Sequence, residues 1–170
     1  MGHPDTKVRL SESSGRIAVD TTLRLESPEQ CLRTGLYLWD AETQEQEDTG
    51  ARFVATDEEL TQMEYEGYRA AVLCFEAGLA LNPNHAGLQS AIAEAYYFGR
   101  GVAQDLSLAL TWFRRAADQA DAFAQYSLGW MYAHGIGVPQ DMQEALRLYR
   151  RAAIQGLEAA NQALEQTESQ

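Results

Sequence analysis

Tyr132-Ala133-His134-Gly135-Ile136-Gly137-Val138-Pro139-Gln140-Asp141 is the stretch that decides the fold of this 170-residue chain, because its outline already stands thirty-six residues earlier, between Tyr96 and Asp105. Tyr96, Gly99, Gly101, Val102 and Asp105 return as Tyr132, Gly135, Gly137, Val138 and Asp141. The register then continues from Ala109, Leu110, Arg114, Arg115, Ala116, Ala117 and Gln119 to Ala145, Leu146, Arg150, Arg151, Ala152, Ala153 and Gln155. A period of this size marks stacked repeat units. Each unit buries its apolar face only against its neighbours, so the product is a scaffold whose surface, rather than a central pocket, meets a partner.

The second copy shows how one unit is built. Ala124, Leu128 and Tyr132 recur every four residues and, with Phe123 beside Ala124, form an apolar stripe, which predicts a helix over Ala122 to His134. Gly135 and Gly137 then supply the left-handed backbone of a tight turn, as Gly99 and Gly101 do in the first copy. Pro139 prevents the first helix from resuming, Val138 is placed to plug the space between helices, and Asp141 with Glu144 reads as a capping box for a second helix from Met142 to Gln155. Ala145, Leu148, Tyr149, Ala152 and Ala153 would form its inner face, and Gly156, matched by Ala120, ends it.

Ala124, Leu128, Gly129, Tyr132, Gly135, Gly137, Val138, Asp141, Ala145, Ala152, Ala153 and Gly156 together resemble the signature of the Sel-one-like repeat, a paired-helix relative of the tetratricopeptide repeat. The first copy departs from it at Leu88, Ala93 and Ala120. The resemblance implies an all-α fold, an α/α superhelical solenoid of paired antiparallel helices, in which the first helix of each pair lines a concave face. Repeats are expected over 85–120 and 121–156, followed over 157–170 by a capping helix and tail, with Ala160 and Leu164 in register with Ala124 and Leu128. Upstream, Tyr68, Ala71, Phe75 and Pro83 resemble the second helix of a tetratricopeptide repeat, so 53–84 is expected to be a helix pair: one helix from Thr56, capped with Glu59, to about Tyr65, a turn at Gly67, then the second helix.

Residues 1–50 read as an amino-terminal cap or recruitment arm. Arg16 to Leu25 has the β-branched, alternating character of a strand. Ser27-Pro28-Glu29-Gln30 is a helix start, and a helix from Pro28 to about Thr43 would place Cys31, Leu32, Leu36 and Trp39 on one side, covering the bare amino-terminal face of the array. The acidic stretch Glu42 to Gly50 is expected to be a loop.

Charge narrows the partners. The net charge is -12, with 16 acids against 7 bases in residues 1–84 and 9 against 6 in 85–170. Between Asp40 and Glu66 ten acidic side chains accompany a single base, Arg52, a composition that repels a phosphate backbone and attracts basic surfaces. Nucleic acid is therefore not an expected partner. Only Lys7 is a lysine among thirteen basic residues, a bias that reads as genome composition. Cys31 and Cys74 are too few for a disulfide framework and stand in no metal-binding spacing, so they read as buried apolar thiols. No stretch approaches the roughly 18 apolar residues of a membrane span, and the first 25 residues carry no apolar signal core. A cytoplasmic protein without membrane contact is expected.

No catalytic constellation emerges. Gly99-x-Gly101 and Gly135-x-Gly137 lack the third glycine and preceding strand of a phosphate loop. His3, His85 and His134 lie far apart without ligands at metal spacing, and no acid stands in the apolar setting that acid catalysis requires. No cofactor or metal is expected. The candidate contacts are on the first helix of each pair: Gln89, Glu94 and Tyr97, then Gln125, Tyr126 and Trp130. Aromatic residues with a polar tip bury large area at low entropic cost and are enriched at hot spots. Arg114, Arg115, Arg150 and Arg151 could form an outer ladder for carboxylates, although basic residues near a helix carboxyl end also simply complement its dipole. The expected function is a non-enzymatic adaptor or scaffold binding a protein or peptide, with the acid excess favouring a basic one. The alternatives are a self-associating structural protein, or an immunity or chaperone protein that occludes its partner.

Overall fold

The computed structural model describes residues 9–12, 17–20, 27–36 and 57–168. The chain divides into two compact units, Met1–Pro83 with Arg100–Val102 and Asn84–Gly99 with Ala103–Gln170.

In the first unit, β1 (Arg9–Glu12) pairs antiparallel with β2 (Ile17–Asp20), with Arg9 opposite Asp20 and Glu12 opposite Ile17. The strand expected within Arg16 to Leu25 thus has a partner that the sequence did not announce. Helix α1 covers residues 28–36. Ser27 starts it, its Oγ accepting the Gln30 N–H at 3.1 Å. The face α1 buries is narrower than expected. Cys31 is fully buried and Gly35 is buried one turn on, so close to α2 that a β-carbon there would run into the Phe75 ring. Leu36 is exposed, since it lies off the Cys31–Gly35 line, and Trp39, like Thr43 and the acidic stretch, lies outside the described residues.

Helix α2 runs unbroken through Asp57–Leu81, so the helix pair expected over 53–84 is one long helix. Gly67 does not break it. An isolated glycine costs a helix only about 1 kcal/mol, whereas the turn inside each repeat combines two left-handed glycines with an aspartate that starts the next helix. Ala70, Ala71, Val72, Cys74 and Phe75 are buried along α2. Burial, and secondarily the neighbouring Cys31 thiol, push the Cys74 thiol up to about 11, which keeps both free cysteines as inert apolar groups.

The second unit consists of α3 (Ala86–Phe98), α4 (Leu106–Asp118), α5 (Ala122–His134), α6 (Met142–Ile154) and α7 (Glu158–Glu168), each packed on its neighbours in sequence. The helix pairs α3–α4 and α5–α6 are the two copies of the repeat. At their turns Gly99, Gly101, Gly135 and Gly137 all have φ between 66° and 71°. Gly99 and Gly135 close α3 and α5, donating to the carbonyls of Ala95 and Met131. The aspartates that follow work twice. Asp105 and Asp141 accept N–H groups of α4 and α6 through their side chains and donate their own N–H to the Tyr96 and Tyr132 carbonyls at 3.0 and 2.9 Å. The capping box is therefore only half made: Glu144 turns instead to Arg147, at 2.6 and 2.8 Å.

Two N-caps carried no recognised signal in the sequence. Asp121 accepts the Ala124 N–H, and the His85 ring nitrogen accepts that of Leu88. One core cluster joins both copies through Ala109, Phe113, Ala116, Ala124, Leu128, Met131 and Leu148, and a second joins Ala145 and Tyr149 to Ala163 of α7. Met131 is fully buried on α5, whereas Phe123, which the stripe reading placed in the core, is 41% exposed.

Candidate functional site

Phe123 points elsewhere because α5 carries a second stripe. Phe123, Tyr126, Ser127 and Trp130 recur at spacings of three and four, as do Glu94, Tyr97 and Phe98 on α3, so each set occupies one face of its helix. With Phe113 of α4, these eight side chains line a single groove of about 500 Å³, lying wholly within the second unit. Phe113 is buried, while Phe98, Phe123 and Trp130 are 53%, 41% and 39% exposed. Aromatic contacts order the lining: Tyr97 stands edge-on to Phe98 at 4.8 Å and to Phe113 at 6.5 Å, and Phe113 lies 6.4 Å from Phe123. Edge-to-face packing is the favoured arrangement of ring quadrupoles, so the rings reinforce one another.

Two further contacts hold the α5 side of the groove. His134 stacks on Trp130 with centroids 3.8 Å apart, and its Nδ1 donates to the Trp130 carbonyl at 3.0 Å. Tyr126 packs 5.7 Å from Tyr149, whose phenol is pushed up to about 12 by burial and by the neighbouring Tyr126. Tyr149 thus stays a neutral packing group at any ordinary pH.

Of the six side chains expected on the contact face, Glu94, Tyr97, Tyr126 and Trp130 converge on the groove. Gln89 and Gln125 do not: they are 3% and 1% exposed. Gln119 Nε2 donates to Gln89 Oε1 at 2.7 Å, and Gln155 Nε2 donates to Gln125 Oε1 at 2.9 Å. Gln125 also donates to the Ala117 carbonyl at 3.2 Å, near the end of α4. These amides tie the end of one helix to the start of an earlier one, which removes them from any contact surface. The sequence reading missed Phe98, Phe113, Phe123 and Ser127. The stripe at 123, 126, 127 and 130 was the signal that could have found two of them, Phe123 and Ser127.

The arginines serve the scaffold more than an outer ladder. Arg115 and Arg151 stand in the last turns of α4 and α6, where a positive charge complements the helix dipole. Arg151 also donates to the Ala117 carbonyl at 3.3 Å. Arg114 donates to the Tyr132 hydroxyl at 2.8 Å, and Arg115 lies 4.8 Å over the Trp112 ring. Arg150 is likewise engaged within the protein. Among the described residues no three His, Cys, Asp or Glu side chains group closely enough to hold a metal ion, and no helix is long and apolar enough to cross a membrane.

The Sel1 repeat family model matches residues 88–121 and 122–157. Residues 88–157 are two Sel1 repeats. Two solved structures agree with that assignment. A Sel1 repeat protein from Oxalobacter formigenes is 27% identical with a TM-score of 0.55, over 77% of this chain and 83% of that one. The protective antigen c5321 of uropathogenic Escherichia coli, which displays an SLR fold, is 28% identical with a TM-score of 0.51 over 79% of this chain. The match covers 32% of c5321, so this chain spans about a third of that protein's length. No curated protein matches the chain significantly. Sel1 arrays are commonly protein-interaction scaffolds and generally non-catalytic.

Proposed function

We propose that this Sel1-repeat chain is a non-enzymatic adaptor that docks a protein or peptide in the groove between α3, α4 and α5. One observation carries the reading: six aromatic side chains from three helices converge on one open groove, with three of them substantially exposed although apolar. Exposed apolar surface of this kind, gathered in a concavity rather than scattered, marks an interaction site. The rings are rigid and already positioned by edge-to-face contacts, so docking orders few new groups. The test is a pull-down from host lysate comparing the wild type with a Trp130→Ala, Phe123→Ala double variant, with folding of both checked by circular dichroism. A protein enriched by the wild type and lost by the folded variant supports docking in the groove. A partner retained equally by the variant refutes it. Tyr97 is left in place because it packs against the core cluster, and its removal would confound binding with stability.

A further inference from the structure

The chemistry of the groove is narrower than that of an apolar slot, and the class of guest it selects rests on docking in that groove. Its lining consists of six aromatic rings, the Ser127 hydroxyl and the Glu94 carboxylate, with no basic group among them. The face of an aromatic ring carries negative quadrupole charge and attracts cations, most strongly for tryptophan. In an edge-to-face pair, such as Tyr97 with Phe98 at 85°, at least one ring keeps both faces uncovered by its partner. His134 covers one face of Trp130, and that side chain is still 39% exposed. The same repeats already hold cations on rings outside the groove, where Arg115 lies over Trp112 and Arg114 lies 6.0 Å from the Tyr132 ring centre. An acidic or phosphorylated guest would meet no cation in the groove and would approach a chain of net charge -12.

We propose that the groove receives an apolar peptide segment bearing an arginine or lysine, with the cationic head set against the aromatic rings and Glu94 and hydrophobic neighbours resting on Phe98 and Phe123. The aromatic rings supply area and cation–π attraction, and the carboxylate supplies the counter-charge that rejects acidic competitors. Glu94 is also engaged within the protein, so its carboxylate adds negative charge to the groove while the rings carry the affinity.

A random peptide library selected against the full chain tests this, with Trp130→Ala and Glu94→Gln selected in parallel and the folding of each checked by circular dichroism. The wild type is expected to enrich peptides that combine Arg or Lys with aromatic or aliphatic residues, and Trp130→Ala to lose them. Glu94→Gln should bind the enriched peptides about tenfold more weakly in fluorescence anisotropy. It should also lose part of their salt dependence, since one screened charge pair is gone. Enrichment of acidic or uncharged peptides that depends on Trp130 would overturn the cationic guest while leaving the groove as a docking site. Enrichment of sequences from this chain itself would assign the groove to a second copy and overturn the proposal. Peptides recovered equally by Trp130→Ala, or no enrichment at all, would overturn the cationic guest and the docking reading together.

Discussion

Replacing Ala120 by glycine should stabilise this protein, and replacing Gly156 by alanine should destabilise it by a similar amount. The two residues close equivalent helices. After α4 the Asp121 N–H donates to the Ala116 carbonyl and the Ala120 N–H to Ala117, and after α6 the Leu157 and Gly156 N–H groups do the same to Ala152 and Ala153. This is the Schellman pattern, and it requires a left-handed residue at the first position past the cap. Gly156 meets that requirement at φ 87°, but Ala120 stands there at φ 64° with a β-carbon, the one non-glycine residue of positive φ among those described. An L-residue in that region costs about 1–2 kcal/mol. Glycine returns about 0.4–1 kcal/mol of this through the greater freedom of the unfolded chain. The difference leaves Ala120→Gly stabilising by about 0.5–1 kcal/mol. At Gly156 an added β-carbon meets nothing within 4 Å, so only the same backbone effect acts, with opposite sign. For a chain of this length each change should move Tm by about 1–4 °C, upward for Ala120→Gly and downward for Gly156→Ala. Thermal and urea unfolding followed by far-ultraviolet circular dichroism would measure both. A fall in Tm on Ala120→Gly, or equal signs for the two variants, would refute the backbone argument.

Three further outcomes rest on the contacts already described. Gln125→Ala should cost about 0.5–1.5 kcal/mol in urea unfolding, because it removes two hydrogen bonds whose other ends keep further partners, the Gln155 amide on the Arg151 carbonyl and the Ala117 carbonyl on Arg151 and Ala120, yet leave peptide binding to the folded protein unchanged. Lost binding at intact stability would return Gln125 to the contact surface. The Arg147 guanidinium hydrogen-bonded to Glu144 holds that carboxyl below its ordinary value. A lowered folded pKa makes the pair stabilising above the unfolded value near about 4.3, with the contribution fading as pH falls through the folded one. Glu144→Gln should thus cost a few tenths of a kcal/mol at neutral pH, for an exposed pair about 0.2–0.5, and nothing at low pH; a cost independent of pH would contradict the pairing. Finally, burial of Cys31 and Cys74 should make thiol labelling at mildly alkaline pH many times slower in the native protein than in urea, and equally fast labelling would show that α1 does not stay on α2.

Much of the second unit was legible because its signals are local. A left-handed glycine, an aspartate cap and an apolar stripe act within about two turns of chain, so the end of α5 and the start of α6 could be read from Gly135 and Asp141 alone. The first unit was less legible for the complementary reason. Gly67 carries the same residue type as a turn but no neighbouring signal, and α2 runs through it. The β1–β2 pairing joins residues whose register no turn motif announced.

The repeat was written in the chain itself: its period, its turns, most of its caps and the residue types available on each first helix. Which of those residues face inward was settled only by packing. Gln125 and Trp130 are both plausible contacts on α5 when read as letters, but Gln125 meets Gln155, thirty residues away, and is buried, while Trp130 turns into a groove whose other walls come from α3 and α4. A polar amide is retained inside because a distant partner satisfies it, and an aromatic ring is left partly exposed where its face of α5 opens onto the groove. Both outcomes depend on contacts between helices, and those exist only once the repeats have stacked.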